Sequence, residues 1–310
     1  MPGGGGLTHR LNLFVLVLAV LVGLPFYVLL LHNPSRQVAA HPLHLTELRR
    51  LADSLPGPRP QTIQMTMVGW DRTPSNLLAA GSGIKRRLFT VMSFRLDTPG
   101  TRPIVIDTGT TPQFAVRSRT DGYRKSRQRR VDADMISARA IIATDESFET
   151  LGGLARLANE PGAAHALTGT WLNSAQVPAT TRAAGLPWPD GLNLPATVGA
   201  SPRAIAPGVV VVPTGAPTPG SQMVYVRLAD GREYVFAGPV ARYAVNAAEL
   251  RTRSRLLDWW EGRQDRAGTM RWLVTLRRWQ KEAPGLYIVP GHDVMTLLDK
   301  EQPSGLFYRE

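Results

Sequence analysis

Pro103-Ile104-Val105-Ile106-Asp107-Thr108-Gly109 is the stretch of this 310-residue sequence that says most about the fold. Three consecutive β-branched residues predict a short buried strand, and the Asp-Thr-Gly that follows predicts a polar loop at its end. A second stretch of this kind covers residues 140–144 and leads into Gly152-Gly153 and a helical pattern. Two buried strands that each run into a loop indicate an α/β or α+β sandwich.

Strand and helix patterns alternate along the rest of the chain. The strand patterns cover residues 62–68, 88–96, 208–212, 223–228, 234–237 and 286–289. Asp230-Gly231 lies between two of them and predicts a hairpin turn. Helical patterns cover residues 248–261 and 269–282, and Pro284-Gly285 ends the second.

Composition limits the chemistry that this chain can perform. The net charge of +12 favours anionic partners such as phospholipid headgroups, acidic polymers or nucleic acid. Nucleic acid is not expected, because no motif that reads bases is present. The sequence contains no cysteine, which excludes disulfides, thiolate metal sites and a cysteine nucleophile. Four of the six histidines lie in the first 44 residues, which leaves only His165 and His292 for the remainder.

The N-terminal region predicts a membrane anchor. Residues 13–31 are apolar except for Gly23 and Pro25, and a helix of this length nearly spans the ~30 Å hydrocarbon layer. We therefore divide the chain into a tail (1–12), a transmembrane signal anchor (13–31), a juxtamembrane linker (32–60) and a soluble domain (61–310). A cleaved signal peptide ending at Val38-Ala39-Ala40 and a buried core helix are the alternatives. We expect a single-pass membrane protein whose domain is extracytoplasmic, hence periplasmic in a bacterium, although flanking arginines leave the orientation open.

The order of the motifs resembles the metallo-β-lactamase superfamily, especially its lactonase-like members. The resemblance spans about residues 62–295 and covers an apolar strand ending in Asp-x-Gly, a metal loop, a Thr-Pro-Gly-Ser loop, a hairpin and a closing Pro-Gly-His-Asp. The corresponding stretches here are residues 104–109, 140–154, 216–222, 230–238 and 287–293. The resemblance implies a four-layer αββα sandwich over the soluble domain.

The resemblance also implies a zinc site, whose ligands in the family are a Thr-His-x-His-x-Asp-His loop, a later His, a bridging Asp and a final His. The positions that correspond to them here are Asp145, Ser147, Glu149, Thr150, Pro217, Pro239 and His292. Only His292 keeps the family's residue type, and proline offers no side-chain donor. Asp107 would support the loop backbone beside the cleft. We therefore expect no zinc and no other cofactor, so that no bound water is activated as in a metallohydrolase.

Two interpretations of the altered cleft remain open. In the favoured one, the protein is not a catalyst and binds a ligand or a partner in the inherited cleft. In the alternative, it is a lactone- or ester-type hydrolase with a rebuilt metal or acid/base site, for which Asp145, Glu149 and His292 are the candidate catalytic residues. Carboxylates of Asp145, Glu146, Glu149 and Asp293 suit Mg²⁺, Ca²⁺ or Mn²⁺, but Asp145 and Glu146 also suit the start of a helix.

Two surface patterns indicate partners. Seven basic residues cluster within fourteen positions, as a solvated loop or as a contact with anionic lipid or polymer: Arg117, Arg119, Arg124, Lys125, Arg127, Arg129 and Arg130. The two late helical patterns carry Trp259, Trp260, Trp272 and Trp279, which suits either core packing or an amphipathic membrane-facing surface. The expected partners are membrane lipid and an anionic ligand or a protein.

Overall fold

The computed structural model describes residues 5–117, 120–160, 163–178, 194–301 and 303–309. These residues form a mixed α/β structure with two sheets. The strands are β1 (Thr62–Pro74), β2 (Arg86–Asp97), β3 (Ile104–Ile106), β4 (Ala140–Ile142), β5 (Thr170–Asn173), β6 (Ala196–Val198), β7 (Arg203–Ala206), β8 (Val209–Pro213), β9 (Gln222–Arg227), β10 (Glu233–Gly238), β11 (Leu286–Pro290) and β12 (Phe307–Arg309).

The first helix, α1, is continuous: its α-helical segments Gly5–Leu18 and Leu24–Phe26 alternate with π-helical segments Ala19–Gly23 and Tyr27–Leu31. The other helices are α2 (Leu45–Ala52), α3 (Ser75–Leu78), α4 (Pro112–Arg117), α5 (Lys125–Ser137), α6 (Phe148–Leu157), α7 (Ala164–Leu167), α8 (Ala244–Glu249), α9 (Arg255–Glu261), α10 (Arg266–Glu282) and α11 (Val294–Leu297).

A seven-stranded sheet in the order β12-β1-β2-β3-β4-β5-β6 faces a five-stranded sheet in the order β11-β10-β9-β8-β7. Strands β3 to β6 are parallel neighbours. Strands β9 and β10 pair as an antiparallel hairpin, and the turn between them contains Gly231 with a φ of +87°. The Asp230-Gly231 turn is therefore confirmed.

Alternating side chains on the strands build three hydrophobic layers. Ile104 and Ile106 of β3 pack between the two sheets, whereas Val105 packs outward against α5 and α6. Val209 and Val211 of β8 likewise face the other sheet, whereas Val210 and Val212 face α2 and α10. Helices thus cover the outer face of each sheet, which confirms the αββα sandwich.

The segment 32–60, drawn from the sequence as a linker, supplies part of the outer core. Leu45 and Leu48 of α2 are buried against the five-stranded sheet and α10. Arg49 forms a two-pronged ion pair with Glu233 of β10, at 2.7 and 2.6 Å. Helix α2 therefore packs as an integral part of the sandwich.

The sequence predicts one helix over residues 248–261, and this prediction is wrong in detail. The chain forms α8 and α9 instead, separated at Leu250, which ends α8 in the left-handed conformation at φ 54°. Ser254 then accepts a hydrogen bond from Leu257 N and caps α9. The break therefore separates α9 from α8.

The four tryptophans of this region divide into two pairs. Trp272 and Trp279 of α10 are buried in the outer core, as the core-packing interpretation expects. Trp259 and Trp260 of α9 are each 79% exposed, so core packing is wrong for this pair.

The basic cluster is only partly described by the structure. Arg119 lies outside the described residues, and only the backbone of Arg117 is described. Arg124 lies over the ring of Trp70 at 4.9 Å, and Arg127 lies over that of Tyr308 at 5.7 Å. At least these two arginines pack on aromatic rings of the domain itself.

Helix α1 is, by length and composition, long and apolar enough to cross a membrane. The qualifying stretch is Thr8–Leu31, with a mean hydropathy of 2.9, and none of it is buried inside the protein. A cleaved signal sequence has the same properties.

Candidate functional site

The site lies where loops at the carboxyl ends of β3, β4, β10 and β11 meet. Backbone hydrogen bonds tie these loops together, from His292 N to Arg242 O at 2.9 Å and from Gln222 N to Thr144 O at 2.8 Å. Beside them is a cavity of about 570 Å³. Its lining includes Asp71, Leu78, Phe89, Phe114, Asp145, Glu146, Ser147, Glu149, Arg242, Arg253, Leu257, Glu261 and Arg263.

Asp107 is buried beneath the site and stabilises the loop that follows β4. Its carboxylate accepts hydrogen bonds from Thr144 N at 2.7 Å and from Thr144 Oγ1 at 3.0 Å. Its φ of 60° is one that Asp and Asn adopt more readily than most residues. Burial raises the pKa of Asp107 to about 8, despite the opposing hydrogen bonds.

Asp145 is the centre of a closed hydrogen-bond network. A single carboxylate oxygen, Oδ1, accepts from Ser147 N at 2.9 Å, from Ser147 Oγ at 2.6 Å and from Thr150 Oγ1. Ser147 is also the residue that precedes α6, so the network holds the start of this helix. Asp145 is 4% exposed, and all three of these hydrogen bonds end on the same oxygen, Oδ1.

Two further carboxyls line the cavity. Glu146 accepts a hydrogen bond from Thr218 Oγ1 at 2.9 Å, and Gly220 lies so close that a Cβ there would sit 2.1 Å from Glu146 Oε2. Burial raises the pKa of Glu146. Burial also raises the pKa of Glu149, against the opposing effect of the Arg242 charge. Both carboxyls therefore hold protons more tightly than they would in water.

His292 is packed into the wall of the site rather than directed to a group of ligands. Its Nδ1 lies 2.9 Å from Thr90 O, and its ring stacks on Phe89 with centroids 4.0 Å apart. Burial and the nearby Arg242 lower the pKa of His292 to about 4, so the ring is neutral at pH 7.

The two prolines at former ligand positions are buried and absent from the cavity lining. Pro217 follows a cis peptide bond, and its carbonyl accepts from Asp265 N at 2.8 Å. Asp293, a candidate oxygen ligand, caps α11 by accepting from Thr296 Oγ1 at 2.9 Å and from Thr296 N. Asp145, Ser147 and Glu149 thus come together at the cavity, with Thr150, His292 and Asp107 close behind them.

Sequence reasoning missed Arg242, the most informative residue of the cavity. Among the described residues its guanidinium makes no ion pair, and its Nε is buried without a hydrogen-bond partner. Arg253, by contrast, is paired with Asp258 at 2.6 Å and with Glu261 at 2.7 Å. Arg242 comes four residues after Gly238 of the recognised hairpin, but no motif distinguishes it from the other basic residues.

The residues present do not fit a zinc ion. Zinc sites use imidazole, thiolate and carboxylate donors. The positions that the resemblance matches to zinc ligands offer one imidazole, two carboxyls, two hydroxyls and two prolines, and both hydroxyls already donate to Asp145 Oδ1. Within the part of the chain that the structure describes, no group of three or more His, Asp or Glu side chains is placed to hold a metal.

Several solved structures that align with this chain are described as hydrolases or lactonases. An N-acyl homoserine lactone hydrolase with its product bound at the catalytic metal centre aligns at TM-score 0.59 and 15% identity, over 77% of this chain and 95% of that one. A quorum-quenching N-acyl homoserine lactone lactonase aligns at 0.60 and 16%, over 80% and 98%. A probable metal-dependent hydrolase from Staphylococcus aureus aligns at 0.55 and 10%, over 77% and 91%. The chain has the metallo-β-lactamase fold.

No family model matches the chain of this metallo-β-lactamase-fold protein. No curated protein matches its sequence either. The likeness to these three structures is therefore one of fold, at identities of 10 to 16%.

Proposed function

We propose that this protein is a membrane-anchored member of the metallo-β-lactamase fold that works without zinc and binds a ligand in its cavity. The observation that carries the proposal is the network around Asp145, in which two hydroxyls and a backbone N–H occupy one carboxylate oxygen. Such a network stabilises the loop through its own side chains, which supports a function without a metal-activated water.

The cavity suits a ligand with an apolar part and an anionic part. Leu78, Phe89, Phe114 and Leu257 supply apolar walls, and Arg242 supplies a cation that no carboxylate neutralises by direct contact. An arginine in a partly enclosed cavity binds carboxylates and phosphates through two parallel hydrogen bonds. We propose that Arg242 binds the anionic group, with the protein anchored by α1 and its domain on the extracytoplasmic side.

The metal content of the purified protein tests the first part of this proposal. We expect wild type and His292→Ala, both produced in zinc-supplemented medium, to contain equally low zinc and to hydrolyse neither N-acyl homoserine lactones nor β-lactams above background. One zinc per wild-type chain, with both metal and turnover lost in His292→Ala, would overturn the proposal.

The alternative function, hydrolysis at a rebuilt site, is favoured by Glu149. This side chain lines the cavity, and burial shifts its pKa upward, toward the range of a general acid or base at neutral pH. The N-acyl homoserine lactonases of the same fold make lactones the first substrates to test. Turnover with Mg²⁺, Mn²⁺ or Ca²⁺ that disappears in Glu149→Gln would establish this alternative and exclude the non-catalytic proposal.

A further inference from the structure

Trp259 and Trp260 are two consecutive, strongly exposed tryptophans on the described surface of the domain. Both indole side chains are 79% exposed on a helix that presents Asp258 inward, in an ion pair with Arg253. Two adjacent exposed tryptophans are costly in water, and a contiguous apolar patch of this kind marks a contact with a partner or a membrane. Tryptophan is the residue enriched at the headgroup level of bilayers.

Helix α9 lies beside the end of the membrane-length helix. Arg266, the first residue of α10, donates to His32 O at 2.6 Å. Arg255 of α9 lies 3.4 Å from His32 Nδ1. His32 directly follows α1. The exposed tryptophans therefore lie on the part of the domain that is fastened to the end of the anchor.

A second exposed segment is fastened to the same point. Gly81 N donates to Leu30 O at 3.0 Å, and Asn33 Nδ2 donates to Ala80 O at 2.9 Å. In this loop Ile84 is 76% exposed, and the exposed basic residues Lys85, Arg86 and Arg87 follow it. An apolar side chain flanked by arginine and lysine is the composition of a surface that contacts anionic lipid.

The two segments also border the cavity. Leu257 and Glu261 of α9, and Gly262 and Arg263 after it, line the cavity. Leu78, which directly precedes the loop at 79–87, lines it too. The two elements that hold the end of α1 therefore line or adjoin the cavity.

We infer that α9 and the loop 79–87 rest in the interface of the bilayer and that the cavity takes its ligand directly from the membrane. The ligand class is an amphiphile with an acyl chain and an anionic head group: the chain contacts Phe89 and Phe114, and the head group pairs with Arg242. This inference rests on the proposed anchoring by α1 and adds to it the source and the class of the ligand.

Fluorescence quenching by lipid tests the contact. Residues 5–31 contain no tryptophan, so quenching by brominated phosphatidylcholine reports only on the domain. We expect brominated lipid to quench the tryptophan fluorescence of the wild-type full chain in vesicles. In Trp259→Phe/Trp260→Phe, at least half of this quenched fluorescence should be lost. Trp70→Phe, which removes a tryptophan under Arg124, is the matched control and should keep it.

Extraction of the same vesicles separates the two possible failures. Release of the protein by alkaline carbonate would overturn the proposed anchoring itself. If the protein stays in the vesicles but wild type and Trp259→Phe/Trp260→Phe are quenched equally, only the interfacial contact is overturned. The same conclusion follows if a second protein, instead of lipid, covers the two tryptophans.

Photolabelling tests the entry of the ligand. Vesicles containing a diazirine-labelled fatty acid should label the peptides that carry Phe89 and Leu257 in wild type. The label should fall at least threefold in Arg242→Gln, while labelling of α1 is unchanged. Labelling of those peptides no stronger than that of the peptide carrying Leu55, or equal in both proteins, would overturn the assignment of the cavity.

Discussion

Two hydroxyl groups hold the Asp145 side chain in the loop that follows β4. Ser147 Oγ and Thr150 Oγ1 both donate to its Oδ1. A buried carboxylate with several donors is well satisfied, and each donor then contributes to stability. The loop holds its shape without an ion because the side chains bind each other.

Removal of one donor should therefore cost stability. We expect Thr150→Val, which keeps the volume of the side chain, to lower the free energy of unfolding by about 1–3 kcal/mol, because the buried Asp145 side chain loses a hydrogen bond. Urea titration measures this change. Thr168→Val is the control: its hydroxyl donates to His165 O at an exposed position, and it should change stability by less than about 0.5 kcal/mol. Equal effects of the two variants would contradict the role given to the network.

Asp107 should make stability depend on pH. A carboxyl whose pKa is raised to about 8 in the folded state keeps its proton there while the unfolded chain loses it. Stability therefore falls as pH rises from about 4 to about 8, by up to about 1.4 kcal/mol per pH unit, and levels off above that range.

Asp107→Asn isolates this contribution. Asparagine can still accept from Thr144 N and tolerates the positive φ. We expect the stability of the variant relative to wild type to increase between pH 5 and pH 8 in thermal unfolding measured at both values. A difference between the two proteins that stays constant with pH would show that Asp107 is ionised throughout.

Helix α2 packs in the outer core, although the sequence predicts that its segment is a juxtamembrane linker. Leu48 is completely buried against the five-stranded sheet, whereas Leu55, in the same segment, is 38% exposed. We expect Leu48→Ala to destabilise the protein by about 2–5 kcal/mol, because a core leucine leaves a cavity when truncated. Leu55→Ala should cost less than about 1 kcal/mol in the same urea titration. Similar small costs at both positions would mean that residues 32–60 act as a linker.

At the scale of the whole molecule, the proposed anchoring by α1 determines where the protein is located. We expect the full chain to stay in the membrane fraction through a wash at 1 M salt, because such salt screens charges beyond about 3 Å but leaves apolar insertion intact. Immunoblotting of pellet and supernatant measures the distribution. An intact soluble domain beginning near Ala40 in the supernatant would show that the segment is a cleaved signal. Deletion of residues 1–31 provides the soluble control.

The residue patterns alone predicted a mixed α/β or α+β class, and the resemblance of the motif order implied the αββα layers. Alternation of side chains at Ile104, Val105 and Ile106 is a local property with a period of two, so it shows which strands are buried on both faces. The motif order then places His292 and the loop after β4 at one edge of the sandwich, and the structure brings them there.

Only the tertiary structure decided which side chains act together. Arg242 is one of 36 lysines and arginines, and nothing local shows that its charge lacks an ion-pair partner among the described residues. Trp260 and Trp279 have equivalent helical surroundings in sequence, yet one is exposed and the other is buried. Burial and pairing depend on what packs against a residue from distant parts of the chain, and a local pattern does not contain that information.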